Sequence, residues 1–124
     1  SQVAKLKKLA GNDLDIYSGN DDQVIPILSL GGIGVISVLS NVRPAAVHDM
    51  VMEYLNGNIK SALDIQLKYL DLIEALFCEV NPIPVKAAMK LLGYDVGGLR
   101  LPLTELEDAN RARLKESMES LKEN

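Results

Sequence analysis

Two short stretches of strand character in an otherwise helical chain constrain the fold more than any other feature. The run Gly34-Val35-Ile36-Ser37-Val38-Leu39 is nearly continuous in apolar residues and of strand length. That is the pattern of a parallel strand covered on both faces. Leu14 to Tyr17, ending at Ser18-Gly19, reads as another strand. Between them Asn20, Asp21 and Asp22 suit the cap and first turn of a helix, because their oxygens accept from unpaired helix N–H groups. That helix runs to about Leu30 and stops at Gly31-Gly32. Ahead of both strands, Val3, Leu6, Leu9 and Ala10 recur at helical spacing, opposite Lys5, Lys7 and Lys8, and Gly11 follows. The order helix, strand, helix, strand, helix is an α/β signature. Two parallel strands alone leave backbone edges and faces uncovered, so the chain is expected to be part of something larger.

Beyond Asn41 the pattern is helical. Pro44 opens a helix through Val47, Met50, Val51 and Leu55, and Asn56-Gly57-Asn58 breaks it. Ile59, Leu63, Leu67, Leu70 and Phe77 mark one longer helix. Ile65, Leu72, Ile73 and Leu76 add apolar residues around it, which predicts a largely buried element. Asn81 is expected to cap a third helix with Pro82 at its first position, ended by Gly93. Thr104 and Glu107 have capping-box spacing before a last helix, whose inner face carries Leu106, Leu114, Met118 and Leu121.

Composition narrows the class. The 124 residues, 48% of them hydrophobic, suit one domain and exclude a disordered tail or a disulfide scaffold. Thirteen Lys and Arg against seventeen Asp and Glu give a net charge of −4, with no basic cluster, which argues against a nucleic-acid partner. The single Cys78 points to a reducing compartment, the cytoplasm, and the single His48 argues against a His-based metal site. The uncharged run from Gln23 to Val42 contains Pro26, three glycines and three serines, so no membrane span is expected. The N-terminus lacks the apolar core of a signal peptide. It also lacks a start methionine, so the chain is expected to begin inside a longer product.

Few constellations carry chemistry. Gly32-Ile33-Gly34 precedes a strand and lacks a third glycine, so it reads as a tight turn and not a nucleotide loop. Ser18-Gly19-Asn20-Asp21-Asp22 lies at the carboxyl end of a strand, where α/β folds build ligand sites, but helix capping accounts for it as well. Ile36, Ser37, Ser40 and Asn41 occupy the same edge on the second strand. Their polar groups suit either a small oxyanion or simple strand termination. Lys86, in Asn81-Pro82-Ile83-Pro84-Val85-Lys86, lies one turn into a helix with Lys90 at i+4 and reads as a solvated lysine, not a nucleophile. Arg100 reads as a surface cation. No nucleophile–His pair, CxxC spacing or Walker loop is present.

Four stretches in this order are more specific: Tyr17-Ser18-Gly19-Asn20-Asp21, then Leu30-Gly31-Gly32-Ile33-Gly34-Val35-Ile36-Ser37-Val38, then Asn81 to Lys86, then Leu99-Arg100-Leu101-Pro102-Leu103. Together they closely resemble the C-terminal portion of the 4-hydroxy-tetrahydrodipicolinate synthase family, also called dihydrodipicolinate synthases. The first two are shared with other pyruvate-dependent aldolases such as N-acetylneuraminate lyase. The last two are characteristic of the synthases.

The resemblance implies an eight-stranded β/α barrel, which needs roughly 200 to 250 residues, followed by a helical domain. It places residues 1–56 at the end of the barrel, from the end of its sixth helix through strands seven and eight, and residues 57–124 in the C-terminal helical domain. It also implies a lyase of diaminopimelate and lysine biosynthesis that joins pyruvate to aspartate semialdehyde through a lysine Schiff base, with no cofactor or metal. The family's Schiff-base lysine and proton relay fall upstream, so no catalytic residue is assigned here, and Lys5, Lys7, Lys8 and Lys86 are not substitutes. What carries over is the pocket rim. Ile36 matches a position contacting pyruvate, and Gly19 and Asn20 match the strand-seven rim, where Asn20 replaces an aspartate of some members. Asn81 matches a supporting asparagine. The implied partners are the two substrates, the N-terminal half of the barrel, and further copies in a dimer or tetramer. An alternative from another class is a non-enzymatic helical module that oligomerises.

Overall fold

Gly31 and Gly32 turn the chain from its second helix into its second strand. Gly31 adopts φ +88°, a left-handed conformation favourable only to glycine. A Cβ on Gly32 would lie 2.7 Å from Ile27 Cγ2 and 2.8 Å from the Ile27 carbonyl oxygen, so no side chain fits there. The turn thus lets helix and strand pack in direct contact.

The structure, a computed structural model, describes residues 2–122. Its elements in order are α1 (Gln2–Ala10), β1 (Tyr17–Ser18), a 3₁₀ turn (Asp21–Gln23), α2 (Val24–Ser29), β2 (Gly34–Val35), a second 3₁₀ turn (Leu39–Asn41), α3 (Pro44–Leu55), α4 (Ile59–Lys68), α5 (Leu70–Leu76), α6 (Ile83–Leu91) and α7 (Asp108–Ser120). The two strands pair in parallel, Tyr17 opposite Gly34 and Ser18 opposite Val35. The ladder extends past both ends: Ile33 N donates to the Ile16 carbonyl at 2.9 Å and Ile36 N to the Ser18 carbonyl at 2.8 Å. As the sequence predicts, the strands are parallel and joined through a helix, and each has only one neighbour among the described residues.

The helices gather around one main core. Leu72 and Leu76 of α5, Ala88 of α6 and Leu114 of α7 are fully buried together with Leu39 from the β2 exit. A smaller cluster of Val24, Leu28 and Met50 joins α2 to α3. Glu79, in the α5–α6 connection, ties the last helix down. Its Oε1 accepts from the Glu107 backbone N–H at 3.0 Å and from Asn110 Nδ2 at 2.7 Å. A carboxylate at a helix N-terminus satisfies donors the helix cannot bond itself and complements its dipole. No described helix is long and apolar enough to cross a membrane.

Four expectations are corrected. The strands are shorter than the apolar runs, because the chain after β2 bends into the 3₁₀ turn at Leu39. The helix expected over Ile59 to Phe77 breaks at Tyr69, whose ψ of 3° ends α4 and directs α5 into the core. Consequently only α5 is largely buried, while Ile59, Leu63 and Leu67 of α4 face outward, Leu67 57% exposed. Asn81 does not cap: the Asn81–Pro82 bond is cis, Pro82 takes the cap position, and α6 begins at Ile83. The capping box at Thr104 and Glu107 is likewise not formed, since α7 begins at Asp108 with Glu79 supplying the acceptor.

Burial pushes the Cys78 thiol up from its ordinary value, and Glu79 beside it adds to the effect, with Arg113 acting weakly in the opposite sense. Because the thiolate is the nucleophile, Cys78 is expected to react with iodoacetamide at pH 7.5 more slowly than free cysteine. Its rate should rise with a midpoint above that of the free thiol; a midpoint at or below it contradicts the assignment. Leu114→Ala, at a fully buried α7 position, is expected to cost about 2–5 kcal/mol in urea unfolding. Leu67→Ala should change stability by less than about 0.5 kcal/mol.

Candidate functional site

The carboxyl ends of β1 and β2 lie side by side because the strands are parallel and in register. In β/α architectures this is the edge where ligand sites are built. One buried side chain, Asp21, joins the two loops that leave it. Asp21 is 2% exposed, and its Oδ2 accepts from the Val38 and Leu39 backbone N–H groups, both at 2.9 Å. Its Oδ1 accepts from the Ser37 hydroxyl. Ser37 Oγ in turn accepts from the Ser40 N–H at 2.9 Å. The carboxylate of the loop after β1 thereby caps the 3₁₀ turn after β2, and this capture is the reason β2 stops early.

Helix α4 completes the junction. Gln66, 5% exposed, donates from Nε2 to the Asp21 carbonyl at 2.8 Å and accepts at Oε1 from the Ile25 N–H at 3.4 Å. Every polar atom of this cluster has a partner, and no buried side-chain nitrogen or oxygen among the described residues lacks one. A satisfied buried network of this kind is rigid.

Ile36 lies directly ahead of the clamped turn. Its backbone is fixed by the bond to the Ser18 carbonyl, and its side chain is 73% exposed. Gly19 follows β1 with open space where a Cβ would stand, so the rim is bare there. Asn20 is exposed beside it, with its N–H bonded to Ser18 Oγ at 3.2 Å and its carbonyl accepting from the same hydroxyl at 2.7 Å. Ile36, Gly19 and Asn20 thus come together at one strand edge. Asn81 stands apart, in a separate cleft with Val38, Asn41 and Lys86.

The polar residues after β2 serve the loop itself. Besides Ser37, Ser40 Oγ donates to the Ser37 carbonyl at 2.9 Å and Asn41 Nδ2 to the Val38 carbonyl at 3.0 Å. Of the two readings open for them, the structure displays strand termination. Lys86 Nζ donates to the Gly98 carbonyl and Lys7 Nζ to Asn12 Oδ1 at 3.3 Å. His48 is exposed beside Asp49. Among the described residues no three His, Cys, Asp or Glu side chains converge on a metal position.

Asp21 and Gln66 are the residues that sequence reasoning missed. Asp21 was visible only as a helix-cap residue, and nothing in the local pattern pairs it with donors sixteen to eighteen positions away. Asp21→Ala is expected to cost roughly 2–4 kcal/mol in chemical unfolding, since it leaves two buried backbone donors unpaired. Asp21→Asn, which keeps one oxygen for those donors, should cost clearly less. Equal losses would contradict the account of the clamp.

The chain matches the model of the dihydrodipicolinate synthetase family over residues 1–121. A 4-hydroxy-tetrahydrodipicolinate synthase of Lachnoclostridium phytofermentans is 54% identical over 121 residues, covering 98% of this chain and 41% of that protein. The synthase of Thermoanaerobacter sp. is 58% identical over 114 residues, or 92% of this chain and 38% of that protein. The solved dihydrodipicolinate synthase of Cyanidioschyzon merolae, with lysine bound, superposes with a TM-score of 0.91 at 41% identity, covering 96% of this chain and 40% of that one. The Thermotoga maritima enzyme does so with a TM-score of 0.90 at 39% identity, covering 96% and 41%. The fold is therefore that of the matching segment of a β/α barrel enzyme with its C-terminal helices, and the chain spans about 40% of the length of these relatives. On the strength of the family match and these relatives, the chain belongs to the dihydrodipicolinate synthetase family.

Proposed function

We propose that this chain is part of a pyruvate-dependent lyase of lysine biosynthesis, a 4-hydroxy-tetrahydrodipicolinate synthase, and that it supplies one arc of the barrel rim and the helical domain behind it. The observation that carries the reading is the conjunction of a family match along nearly the whole chain with two parallel strands whose outer edges have no partner among the described residues. Residues 1–56 then correspond to the last strands of the barrel and residues 57–124 to the helical domain.

In this reading the ε-amine of a lysine outside this chain condenses with the pyruvate carbonyl, releasing water and forming an iminium. The iminium withdraws electrons, a proton leaves the methyl group, and the resulting enamine attacks the aldehyde carbon of aspartate semialdehyde. Ring closure gives the heterocyclic precursor of diaminopimelate. This chain's residues shape the pocket. Ile36 offers an apolar contact to the pyruvate methyl, and Gly19 leaves room for the incoming aldehyde. Asn20 borders the mouth, and Asn81 supports the helical side. The amide of Asn20 holds polar groups without the charge of an aspartate. The lone Cys78 supports a reducing, cytoplasmic setting, and the whole enzyme assembles with further copies of itself.

The outward Ile59, Leu63 and Leu67 on α4 support a second reading, a helical module that works by self-association. One experiment separates the two. Pyruvate with cyanoborohydride is expected to add no mass to the isolated chain. Mixed with the remaining portion of a closely similar synthase, the chain should yield a complex in which a stoichiometric adduct forms on that portion. An adduct on Lys5, Lys7, Lys8 or Lys86, or failure of the mixture to form any adduct while this chain self-associates, contradicts the lyase reading.

A further inference from the structure

The deepest cleft outside the strand edge itself lies between the loop after β1 and the helical domain. It has a volume of about 390 Å³ and is lined by Asn20, Asp22, Ile73, Glu74, Phe77 and Arg113. Its wall at Asn20 continues the rim that carries Gly19 and Ile36, so a molecule held there sits beside the proposed pocket. Its chemistry is distinctive. One guanidinium faces two carboxylates, over a floor formed by the apolar Ile73 and Phe77. Arg113 Nη2 lies 3.3 Å from Glu74 Oε2, and the two side chains are 49% and 56% exposed. A pair this open to solvent is held weakly. That contact engages one of the five N–H donors of the guanidinium, which leaves the planar fork able to take a carboxylate.

A cation and two anions around a small apolar floor match one ligand class, an α-amino acid in its zwitterionic form with a short uncharged side chain. Its carboxylate meets Arg113, its ammonium meets Glu74 and Asp22, and its side chain crosses the Phe77 ring toward the carboxyl end of β1. A simple keto acid carries only the negative charge and leaves both cleft carboxylates without a partner. We propose that this cleft is a docking subsite for the amino-acid head group of the aldehyde substrate. The proposal rests on the lyase reading for the identity of the ligand, and on the cleft alone for its class. The subsite separates the two substrates by charge before they meet: the keto acid goes to the strand edge at Ile36, and the amino acid enters past Arg113.

The test is a titration of this chain, ¹⁵N-labelled and followed by NMR, with L-homoserine as a stable four-carbon probe. Saturable shifts are expected at Asn20, Glu74, Phe77 and the Arg113 side chain. Arg113→Gln and Glu74→Gln, both at exposed positions, should each weaken binding about tenfold or more, as loss of a charge-assisted contact does. N-acetyl-L-homoserine, which lacks the ammonium, and pyruvate should bind correspondingly worse. The proposal is overturned by the absence of saturable shifts, by shifts confined elsewhere, by unchanged affinity in either variant, or by equal binding of the acetylated probe. Equal or tighter binding of L-lysine would overturn the assignment to a short-chain substrate. The two readings fail separately. A chain that supports Schiff-base formation in the complex but ignores homoserine loses the subsite alone, whereas homoserine binding without any adduct removes the lyase reading and leaves an amino-acid site.

Discussion

One buried carboxylate organises this molecule. Asp21 leaves β1 and accepts from the first amides of the turn that leaves β2, so two loops far apart in sequence become a single rigid edge. Charge-assisted hydrogen bonds of this kind are strong where water is excluded, and removing the acceptor would strand the donors. Gln66 extends the clamp to α4 and hence from the strand pair to the helical half of the chain. The exposed Ile36 and the bare Gly19 owe their placement to this junction and not to the two-residue strands, which are too short to fix anything by themselves.

The arrangement explains how so small a sheet is held. A parallel pair with free outer edges is unstable in water unless its faces are covered and its ends are tied. Here α2 and α3 cover it through Val24, Leu28 and Met50, and the Asp21 clamp ties its carboxyl ends. The helices beyond have their own core around Leu72, Leu76 and Leu114, anchored by Glu79 at the start of α7. The chain thus carries a well-packed helical half and a strand half whose outer edges face outward, the form expected of one arc of a barrel.

What the sequence revealed follows from the range of each interaction. Helix ends were legible because glycine announces them locally: Gly11, Gly31, Gly57 and Gly93 all take positive φ where the pattern predicts a stop. The parallel strands were legible from the apolar run and its order among helices. Their true length was not, because Asp21 ends β2 from another loop. The capping box at Thr104 looked complete within four residues, yet Glu79, twenty-eight positions upstream of Glu107, supplies the acceptor. The bend at Tyr69 interrupts a periodicity that continues on both sides of it, so no local signal marks it. Of the site, Gly19, Asn20 and Ile36 were found through the family resemblance, while the side chains that hold them were hidden by their ordinary polar identity.

The central claim is that Asp21 holds the rim rigid within this chain, without the rest of a barrel. Site-resolved amide hydrogen exchange tests it most directly. The Val38 and Leu39 amides of the native chain should exchange at least about a hundredfold more slowly than unstructured amides, as buried bonded groups do. In the Asp21→Ala chain those two should lose their protection while amides within α7 keep theirs. Unprotected Val38 and Leu39 amides in the native chain, or the same protection with and without the carboxylate, would contradict it.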